Sequence, residues 1–286
     1  MRNVLITGAT GGFGRAFVKF LLANNRVERV CVYSRGEHMQ AELRYETHAD
    51  DRVRYFIGDV RDEWRLDRAF EGVDTVVHAA ALKRIEVGHY NPDELVKTNV
   101  FGAMNVIGAA RRQGVKTVLA LSTDKACEPI SAYGQSKALM ESLFLAANHN
   151  QGPRAPRFGV TRYGNVAGSP GSVIPKWRKL IAEDKAVPIT NPECTRFWMT
   201  MEEAVFFVID AIRLLEQPTY QVKHVLTPEL PAYRLGDLAV AMGAKHTEHF
   251  SLPSFEKTHE SMRSGETSDK ARRMSVGELR EALKHV

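Results

Sequence analysis

Short apolar runs alternate along the chain with stretches that have helical spacing. The first run, NVLIT (3–7), ends in glycines and is typical of a buried parallel strand, and FGRAFVKFLLAN (13–24) follows as a helix. Later runs lie at 27–33, 52–59, 73–81, 115–122 and 157–165, with HVLTP (224–228) as a seventh. This alternation predicts an α/β fold with right-handed crossovers and a doubly wound parallel sheet of about seven strands.

The alternation stops after Asn165, and this change predicts a second lobe. Glycine and proline are frequent after Asn165 and again from Pro228 onward. Helices are predicted at 92–114, around 131–150 and at 200–217, where Thr200 and Glu203 resemble a capping box. We therefore predict a nucleotide-binding domain and a smaller, loop-rich C-terminal substrate lobe. The domain takes residues 1–165 plus 200–227, and the lobe takes 166–199 plus 228–286.

Composition narrows the class of protein. The chain has 286 residues, of which 44% are hydrophobic and 26% charged, so a buried core is expected. No apolar run is long enough to span a bilayer, and the N-terminus lacks the features of a signal peptide. Cys31, Cys127 and Cys194 are isolated, which favours packed thiols over a disulfide framework or a metal site. We expect a cytoplasmic protein without a membrane segment.

The net charge of +5 suits an anionic ligand. Lysine and arginine are scattered along the chain, and no basic run with interleaved aromatic residues stands out. We therefore do not expect nucleic acid as a partner.

A glycine-rich turn, TGATGGFG (7–14), follows the first predicted strand and precedes the first helix. Glycines allow a tight turn and a close approach to a pyrophosphate, which would sit on the helix N-terminus. In this context the spacing indicates a Rossmann-like dinucleotide site. The predicted contacts in the turn are Thr7, Gly8, Gly11, Gly12, Phe13 and Gly14.

The second predicted strand ends in Ser34 and Arg35, where an acidic residue would bind the ribose of NAD. A hydroxyl and a guanidinium suit a 2′-phosphate, so we predict NADP, with NAD as the alternative. Arg35 could instead be a solvated surface residue. Asp59 is placed either to touch the adenine or to cap the helix after it. Further predicted cofactor contacts are Val60 after the third strand and Ala79, Ala80 and Ala81 at the end of the fourth, together with Asn99, Tyr133 and Lys137.

Tyr133 and Lys137 lie four residues apart on a predicted helix and hence on one face. A lysine ammonium and an oxidised nicotinamide both favour the phenolate and so lower the pKa of the tyrosine. Tyr133 can then remove a hydroxyl proton while hydride leaves for the cofactor.

Asp124 and Lys125 follow the fifth predicted strand, next to Thr123. Ligands of parallel sheets bind at the carboxyl ends of the strands, so we predict a catalytic role for these three residues. An exposed ion pair in a turn is the alternative.

Several segments resemble the extended short-chain dehydrogenase/reductases, and more closely the UDP-N-acetylglucosamine 4,6-dehydratases of the polysaccharide-biosynthesis group. TGATGGFG and YGQSK carry the broader resemblance. The closer one rests on HAAALK (78–83), KTNVFGAMNVI (97–107), STDKA (122–126), RYGNVAGSPGSVIP (162–175), ITNPECTRFWMT (189–200) and EKTHESM (256–262).

The resemblance implies a complete reaction. Tyr133 would take the proton of the sugar 4-hydroxyl, and bound NADP⁺ would take hydride from C4 and return it to C6. Lys125 would be the base at C5, and Asp124 the acid that protonates the leaving water. The product would be UDP-2-acetamido-2,6-dideoxy-hexos-4-ulose. Short relatives with Tyr at position 133, rather than Met, invert C5, so we expect inversion.

The resemblance also assigns the contacts to a UDP-N-acetyl-hexosamine substrate. It places Lys83 and Arg196 at the diphosphate, Ser172 and Val173 at the uracil, Glu256 at the ribose and Asn165 at the sugar nucleotide. Without it, Arg196 reads as a solvated turn residue and Asn165 as a loop residue bonded to its own backbone.

The resemblance further matches Asn99 to a helix residue that shapes a proton relay, for which a buried Asn bonded to backbone is the alternative. Relatives commonly form oligomers, so we expect a homo-oligomer.

Two other functions fit part of the pattern. A UDP-hexose 4-epimerase needs the Tyr and Lys but would leave Asp124 and Lys125 idle. A catalytically silent NADP-binding sensor or scaffold would have the same fold, although such proteins commonly lose the Tyr or the Lys.

Overall fold

A computed structural model describes residues 1–24, 27–149, 152 and 155–286. Its centre is a parallel sheet of six strands in the order β3-β2-β1-β4-β5-β6. The strands are β1 (Asn3–Thr7), β2 (Arg29–Ser34), β3 (Val53–Ile57), β4 (Thr75–His78), β5 (Thr117–Thr123) and β6 (Arg157–Tyr163). The order reverses between β1 and β4, which is the point where ligands of doubly wound sheets bind.

Helices connect and cover these strands. They are α1 (Gly12–Ala23), α2 (Glu37–Glu46), α3 (Glu63–Phe70), α4 (Ile85–Tyr90), α5 (Pro92–Leu95), α6 (Gly102–Arg112), α7 (Ala132–Ala146), α8 (Val173–Ala182), α9 (Met201–Glu216), α10 (Leu235–Ala241) and α11 (Val276–Leu283). Short strands complete the C-terminal part: β7 (Val187–Ile189), β8 (Thr195–Phe197), β9 (Ala232–Arg234), β10 (Thr247–His249), β11 (Ser261–Arg263) and β12 (Glu266–Thr267).

Each face of the sheet has its own apolar core because successive strand residues point to opposite faces. Val4 and Ile6 pack with α1 and α9 on one face, whereas Leu5 packs with α3, α6 and α7 on the other. Both faces are therefore covered, which explains why the strands appear in the sequence as continuous apolar runs.

The prediction of a seventh strand at 224–228 is wrong for the described residues. Leu226 forms a single parallel bridge with Thr161 at the edge of β6. The pairing does not extend because Lys223 and His224 are exposed and Pro228 has no N–H to donate.

A third apolar core lies outside the sheet and holds the C-terminal segments together. Trp177 of α8, Trp198, Tyr233 of β9 and Leu279 of α11 are buried in it. This core contains residues from both segments of the predicted substrate lobe. The exact domain boundaries stay a prediction.

The predicted helices form with one local departure. Residues 92–112 run through α5, a π-helix at Val96–Phe101 and α6. The helix predicted around 131–150 ends at Ala146, and residue 150 lies outside the described residues. At α9 the capping box between Thr200 and Glu203 is confirmed. Within the described ranges, no helix has both the length and the apolar character that a bilayer crossing requires.

Candidate active site

The glycine-rich turn brings the backbone of three segments together. Gly8 has a φ of +70°, and a Cβ on it would lie 2.8 Å from the backbone of Ala80. A Cβ on Gly14 would lie 2.5 Å from the Cα of Ala9. Gly11 precedes α1 and has no side chain that could cap its free N–H groups. These features fit a pyrophosphate on the helix N-terminus.

Thr7 and Phe13, near the two ends of the glycine-rich turn, make contacts of different kinds. Thr7 Oγ1 accepts from the Ala80 amide at 3.2 Å, which ties β1 to the loop after β4. That loop also contains Ala79 and Ala81. Phe13, in contrast, stacks on Phe17 with a centroid distance of 5.5 Å, so the structure places it in the core packing of α1.

Ser34 and Arg35 lie at the end of β2 in different surroundings. Ser34 is buried, and its Oγ accepts from Gln40 Nε2 at 3.0 Å. Arg35 is exposed, with Nη1 3.9 Å from Asp59 Oδ2. The guanidinium is therefore free to turn toward a ligand phosphate.

The alternative in which Asp59 caps a helix is wrong. Asp62 caps α3 by accepting from the amide of Arg65 at 3.0 Å. Asp59 instead accepts from Arg61 Nη2 at 2.8 Å. Burial opposes ionisation of Asp59, but the hydrogen bonds from Arg61 hold its pKa below the ordinary value. Asp59 is thus an anion 3.9 Å from the guanidinium of Arg35.

Asn99 fixes the loop that follows β4 from within the π-helix. It accepts from the Leu82 amide at 2.9 Å and donates to the Leu82 carbonyl at 3.0 Å. It also donates to Ser136 Oγ of α7 at 3.0 Å. Val60 is buried against Gly102 at the start of α6. Asn99 is therefore a buried residue bonded to backbone, as the alternative states. It also contacts α7, the helix that carries Tyr133.

Tyr133 and Lys137 are buried on α7. Burial raises the pKa of Tyr133 to about 12, although the Lys125 charge and a hydrogen bond with Thr123 act to lower it. Burial also lowers the pKa of Lys137 to about 8, and its Nζ donates to the Leu121 carbonyl at 2.6 Å. The prediction of a lowered Tyr133 pKa is thus wrong where only the protein's own groups act, because burial has the largest effect on this pKa.

Asp124 and Lys125 form a largely buried cluster with Glu260. Both lie on a short 3₁₀ turn, Asp124–Ala126, directly after β5. Lys125 Nζ is 3.1 Å from Asp124 Oδ1 and 3.0 Å from Glu260 Oε1. Asp124 is fully buried and Glu260 is 2% exposed. Burial alone would lower the pKa of Lys125, but the two carboxylates together raise it above its ordinary value. The alternative of an exposed ion pair is wrong.

Three predicted substrate residues converge on this cluster. Arg196 is mostly buried, with Nη2 3.7 Å from Glu256 Oε2 and Nε 3.9 Å from Glu260 Oε1. Asn165 Oδ1 accepts from Lys125 Nζ at 3.5 Å and also hydrogen-bonds to Tyr233. The interpretation of Arg196 as a solvated turn residue is therefore wrong, and so is that of Asn165 as bonded only to its own backbone.

Lys83, Ser172 and Val173 have no hydrogen bond or ion pair with this cluster among the described residues. Lys83 is exposed on the loop after β4. Ser172 precedes α8, which starts at Val173, and its buried Oγ has no hydrogen-bond partner among the described residues. Arg84 Nη2 approaches within 3.8 Å of where a Cβ on Gly171 would stand, so the two loops are neighbours. Their contact with a substrate stays a prediction.

Two open cavities lie apart from this cluster. One of about 620 Å³ is lined by Glu141, Arg162 and Lys223, among others. Another of about 570 Å³ is lined by Phe20, Met201 and other residues. Neither contains the Asp124–Lys125–Glu260 cluster. We place the candidate active site at the cluster because buried, coupled acids and bases are the groups that chemistry requires.

The chain matches the polysaccharide biosynthesis protein family over residues 4–275. It belongs to this family. A Campylobacter jejuni protein named UDP-N-acetylglucosamine 4,6-dehydratase (inverting) is 45% identical over 270 residues, which cover 93% of this chain and 79% of the relative. A Rickettsia prowazekii protein named UDP-glucose 4-epimerase is 39% identical over 278 residues, covering 94% of this chain and 80% of that protein.

A solved structure supports the fold. The X-ray structure of Pen from Bacillus thuringiensis superposes with a TM-score of 0.92 at 31% sequence identity. The alignment covers 100% of this chain and 98% of the other. The prediction of a Rossmann-like α/β fold is confirmed, with six strands in the central sheet.

Sequence reasoning missed two residues of the site. Glu260 binds Lys125, and Tyr233 hydrogen-bonds to Asn165. Glu260 lies inside EKTHESM, a segment that carries the family resemblance, and this was the available indication. Tyr233 lies in a short strand with no recognisable pattern, and only the fold brings it to the site.

Proposed function

We propose that this protein is an NADP-dependent UDP-N-acetylglucosamine 4,6-dehydratase that inverts C5. The observation that carries the proposal is the buried Asp124–Lys125–Glu260 cluster beside Tyr133. Simple oxidation of an alcohol requires the tyrosine but not this second acid–base set. The 45% identity to a relative with that name supports the substrate class.

The residues around the glycine turn fit a nicotinamide dinucleotide. Gly8, Gly11 and Gly14 would hold the pyrophosphate, and Arg35 would bind a 2′-phosphate, which favours NADP over NAD. A bound nicotinamide would supply the hydride acceptor for C4 and the hydride donor for C6, and an exchangeable proton would be restored at C5 when C6 is reduced.

Tyr133 starts the reaction by taking the proton of the 4-hydroxyl. Its phenol is buried, and a hydrogen bond with Thr123 acts to lower its pKa. The nearby charge of Lys125 and that of an oxidised nicotinamide both favour the phenolate, against the effect of burial.

Lys125 and Asp124 carry out the elimination. An ammonium and a carboxylate at 3.1 Å become an amine and a carboxylic acid when one proton passes from Lys125 Nζ to Asp124 Oδ1. The amine then takes the C5 proton, which the 4-ketone has acidified, and Asp124 protonates the departing 6-hydroxyl as water. One internal proton transfer thus creates both groups without a change in net charge.

Arg196, Glu256 and Asn165 would hold the nucleotide sugar. Binding of a diphosphate would give Arg196 a stronger partner than Glu256, which is 3.7 Å away. Lys83 would add a second cation at the diphosphate, and Ser172 and Val173 would contact the uracil. These assignments rest on the family resemblance together with the positions of the residues.

A UDP-hexose 4-epimerase is the second candidate, favoured by the 39% identity to the Rickettsia prowazekii protein of similar name. Epimerisation requires only transfer of hydride to and from C4. It assigns no task to the buried Asp124–Lys125–Glu260 cluster, whereas the dehydratase uses it.

The decisive experiment is incubation with UDP-N-acetylglucosamine in D₂O, followed by NMR. A 4-keto-6-deoxy sugar with deuterium at C5 is expected, with the inverted configuration at that carbon. Recovery of the C4 epimer without dehydration would favour the epimerase, and unchanged substrate would contradict both enzymes.

We further propose a cytoplasmic homo-oligomer. Phe101, Met104 and Leu139 are exposed apolar side chains on the neighbouring segments of the π-helix, α6 and α7. Such a patch suits contact with a second copy of the chain. Sedimentation of the wild type, compared with a Leu139→Glu variant, tests this proposal: an unchanged mass would contradict it.

A further inference from the structure

Glu260 faces the reactive cluster from the C-terminal part of the chain. Oε1 lies 3.0 Å from Lys125 Nζ, and the side chain is 2% exposed. Oε2 is buried without a hydrogen-bond partner in the part of the chain that the structure describes. A buried carboxylate with one oxygen unpaired lowers the stability of the fold, so packing alone does not explain Glu260 at this position.

The backbone holds Glu260 in place through a network separate from its carboxylate. Its amide donates to Ser268 Oγ at 2.9 Å, and its carbonyl accepts from the Ser268 amide at 2.8 Å. Ser268 Oγ in turn lies 2.6 Å from Thr195 Oγ1 of β8. The carboxylate is therefore a fixed partner for Lys125.

The charges around Lys125 come from several elements. Asp124 and Glu260 supply two carboxylates, and Arg196 of β8 supplies a second cation, so the cluster is neutral when all four groups are ionised. Tyr133 of α7 and Tyr233 of β9 are close enough to Lys125 for its charge to affect their pKa, and Glu260 affects the pKa of Cys194 in the same way. The two carboxylates outweigh burial and raise the pKa of Lys125.

We propose that Glu260 is a positioning residue for the elimination step: it orients Lys125 and stabilises the ammonium that forms when Lys125 takes the C5 proton. This inference rests on the proposed function. Glu260 has the relation to Lys125 that a buried carboxylate has to a catalytic histidine, which it aligns and whose cation it stabilises. Asp124, on the other side of the same ammonium, remains the acid.

The test is a kinetic comparison of the wild type with Glu260→Gln. We expect kcat for dehydration to fall about a hundredfold, the scale of a general acid–base contribution, with KM little changed. The oxidation step should keep its rate because Tyr133 is untouched. Reduced nicotinamide should therefore accumulate during turnover and be visible by absorbance, while C5 deuteration slows in parallel with dehydration.

The pH profile supplies a second readout. Activity requires the single proton that Lys125 shares with Asp124, and loss of one carboxylate weakens the hold on that proton. The alkaline limb of kcat should thus move to lower pH in Glu260→Gln. In Glu260→Asp, which keeps the charge, the limb should stay near that of the wild type and kcat should recover in part.

Glu266→Gln is the matched control because Glu266 is exposed and pairs only with Arg263, at 3.4 Å, among the described residues. It should behave as the wild type. Wild-type kcat in Glu260→Gln would overturn the proposal. So would an equal loss of both steps without accumulation of reduced nicotinamide, since that pattern indicates a purely structural role. If Glu260→Gln does not fold, the same two criteria apply to Glu260→Asp.

The proposed dehydratase function and the proposed role of Glu260 can be contradicted by different results. If the wild type produces no ketone from UDP-N-acetylglucosamine, the proposed function is wrong. NMR titration of the Lys125 side chain then still tests the contact: its pKa should fall in Glu260→Gln and stay unchanged in Glu266→Gln. No fall in the pKa of Lys125 would overturn the role of Glu260 by itself.

Discussion

Two buried charge clusters lie beside the central sheet, and they are satisfied to different degrees. Arg162 of β6 pairs with Glu141 of α7 through Nε at 2.9 Å and Nη2 at 2.5 Å, so both carboxylate oxygens have partners. Arg162 Nη1 also donates to the Met262 carbonyl at 2.7 Å. In the cluster around Lys125, one oxygen each of Asp124 and Glu260 has no partner among the described residues.

This difference separates a structural role from a chemical one. A bidentate pair whose two carboxylate oxygens both accept hydrogen bonds gains fixed geometry, and its carboxylate has less acceptor capacity left for a ligand. A cluster with unsatisfied carboxylate oxygens retains acceptor capacity, which a substrate hydroxyl or a moving proton can use. The degree of hydrogen-bond satisfaction, rather than burial alone, therefore distinguishes the candidate active site.

The largest expected effect is on the unsatisfied cluster. Lys125→Met should lower the dehydration rate about a thousandfold because it removes the base at C5. Oxidation at C4 should persist at a reduced rate because Tyr133 loses the nearby charge of Lys125, and reduced nicotinamide should still accumulate while C5 deuteration stops. Lys284→Met, which changes an exposed lysine paired with Glu281, is the control. Continued C5 exchange in Lys125→Met would show that another group is the base.

Disruption of the Arg162–Glu141 pair should instead lower the stability of the protein. Glu141→Leu leaves the Arg162 guanidinium largely buried without its carboxylate, and we expect a loss of about 3 kcal/mol in the free energy of unfolding. Urea denaturation measures it. The double variant Glu141→Leu/Arg162→Met should regain much of that loss because no unpaired charge remains. A single variant as stable as the wild type would contradict the assigned structural role.

His78 is a buried titratable group of a third kind, because it stays neutral rather than pairing with an opposite charge. Its Nδ1 bonds to Thr7 Oγ1 at 2.8 Å, and burial, followed by the Lys137 charge, lowers its pKa to about 3. Between that value and its ordinary value of 6.5 the unfolded chain binds more protons. Stability should thus fall with decreasing pH over this window, by up to about 1.4 kcal/mol per unit.

The His78→Phe variant tests this effect because it keeps an aromatic ring against Phe144. Its free energy of unfolding should depend less on pH than that of the wild type between about pH 4 and about pH 7. Equal slopes for the two proteins would exclude His78 as the source.

The smallest effect is expected at an exposed charge. Arg35→Ala should reduce the preference for NADP over NAD about tenfold, since one charge-assisted contact to the 2′-phosphate is lost. Affinity for the two dinucleotides, measured by calorimetry at low and high salt, tests this. The loss should shrink at high salt because an exposed ion contact is screened, unlike the buried clusters. Unaltered preference would contradict the role of Arg35.

Local patterns predicted the parts of the molecule that depend on neighbouring residues. Strand periodicity located β1 to β6, and the glycine turn was found from its spacing. The pair Asp124–Lys125 was found from its place after the fifth strand together with the family resemblance. Glu260 was missed because its contact with Lys125 depends on how the C-terminal segments pack, which no local period encodes. The strand at 224–228 also depends on long-range packing, since its pairing stops after one bridge. Asp59 is a different case, because the nearby Asp62 takes the helix cap.

The π-helix at Val96–Phe101 has a consequence for how this segment tolerates change. A π-turn holds one more residue than an α-turn, and each residue of a helix rotates the chain by about 100°. Deletion of one residue there would restore a regular helix but turn Asn99 away from Leu82 and Ser136, or else turn the whole of α6 away from the sheet. The segment is therefore constrained in its length as well as in its residue types, so that a shift in register would be more damaging than most substitutions.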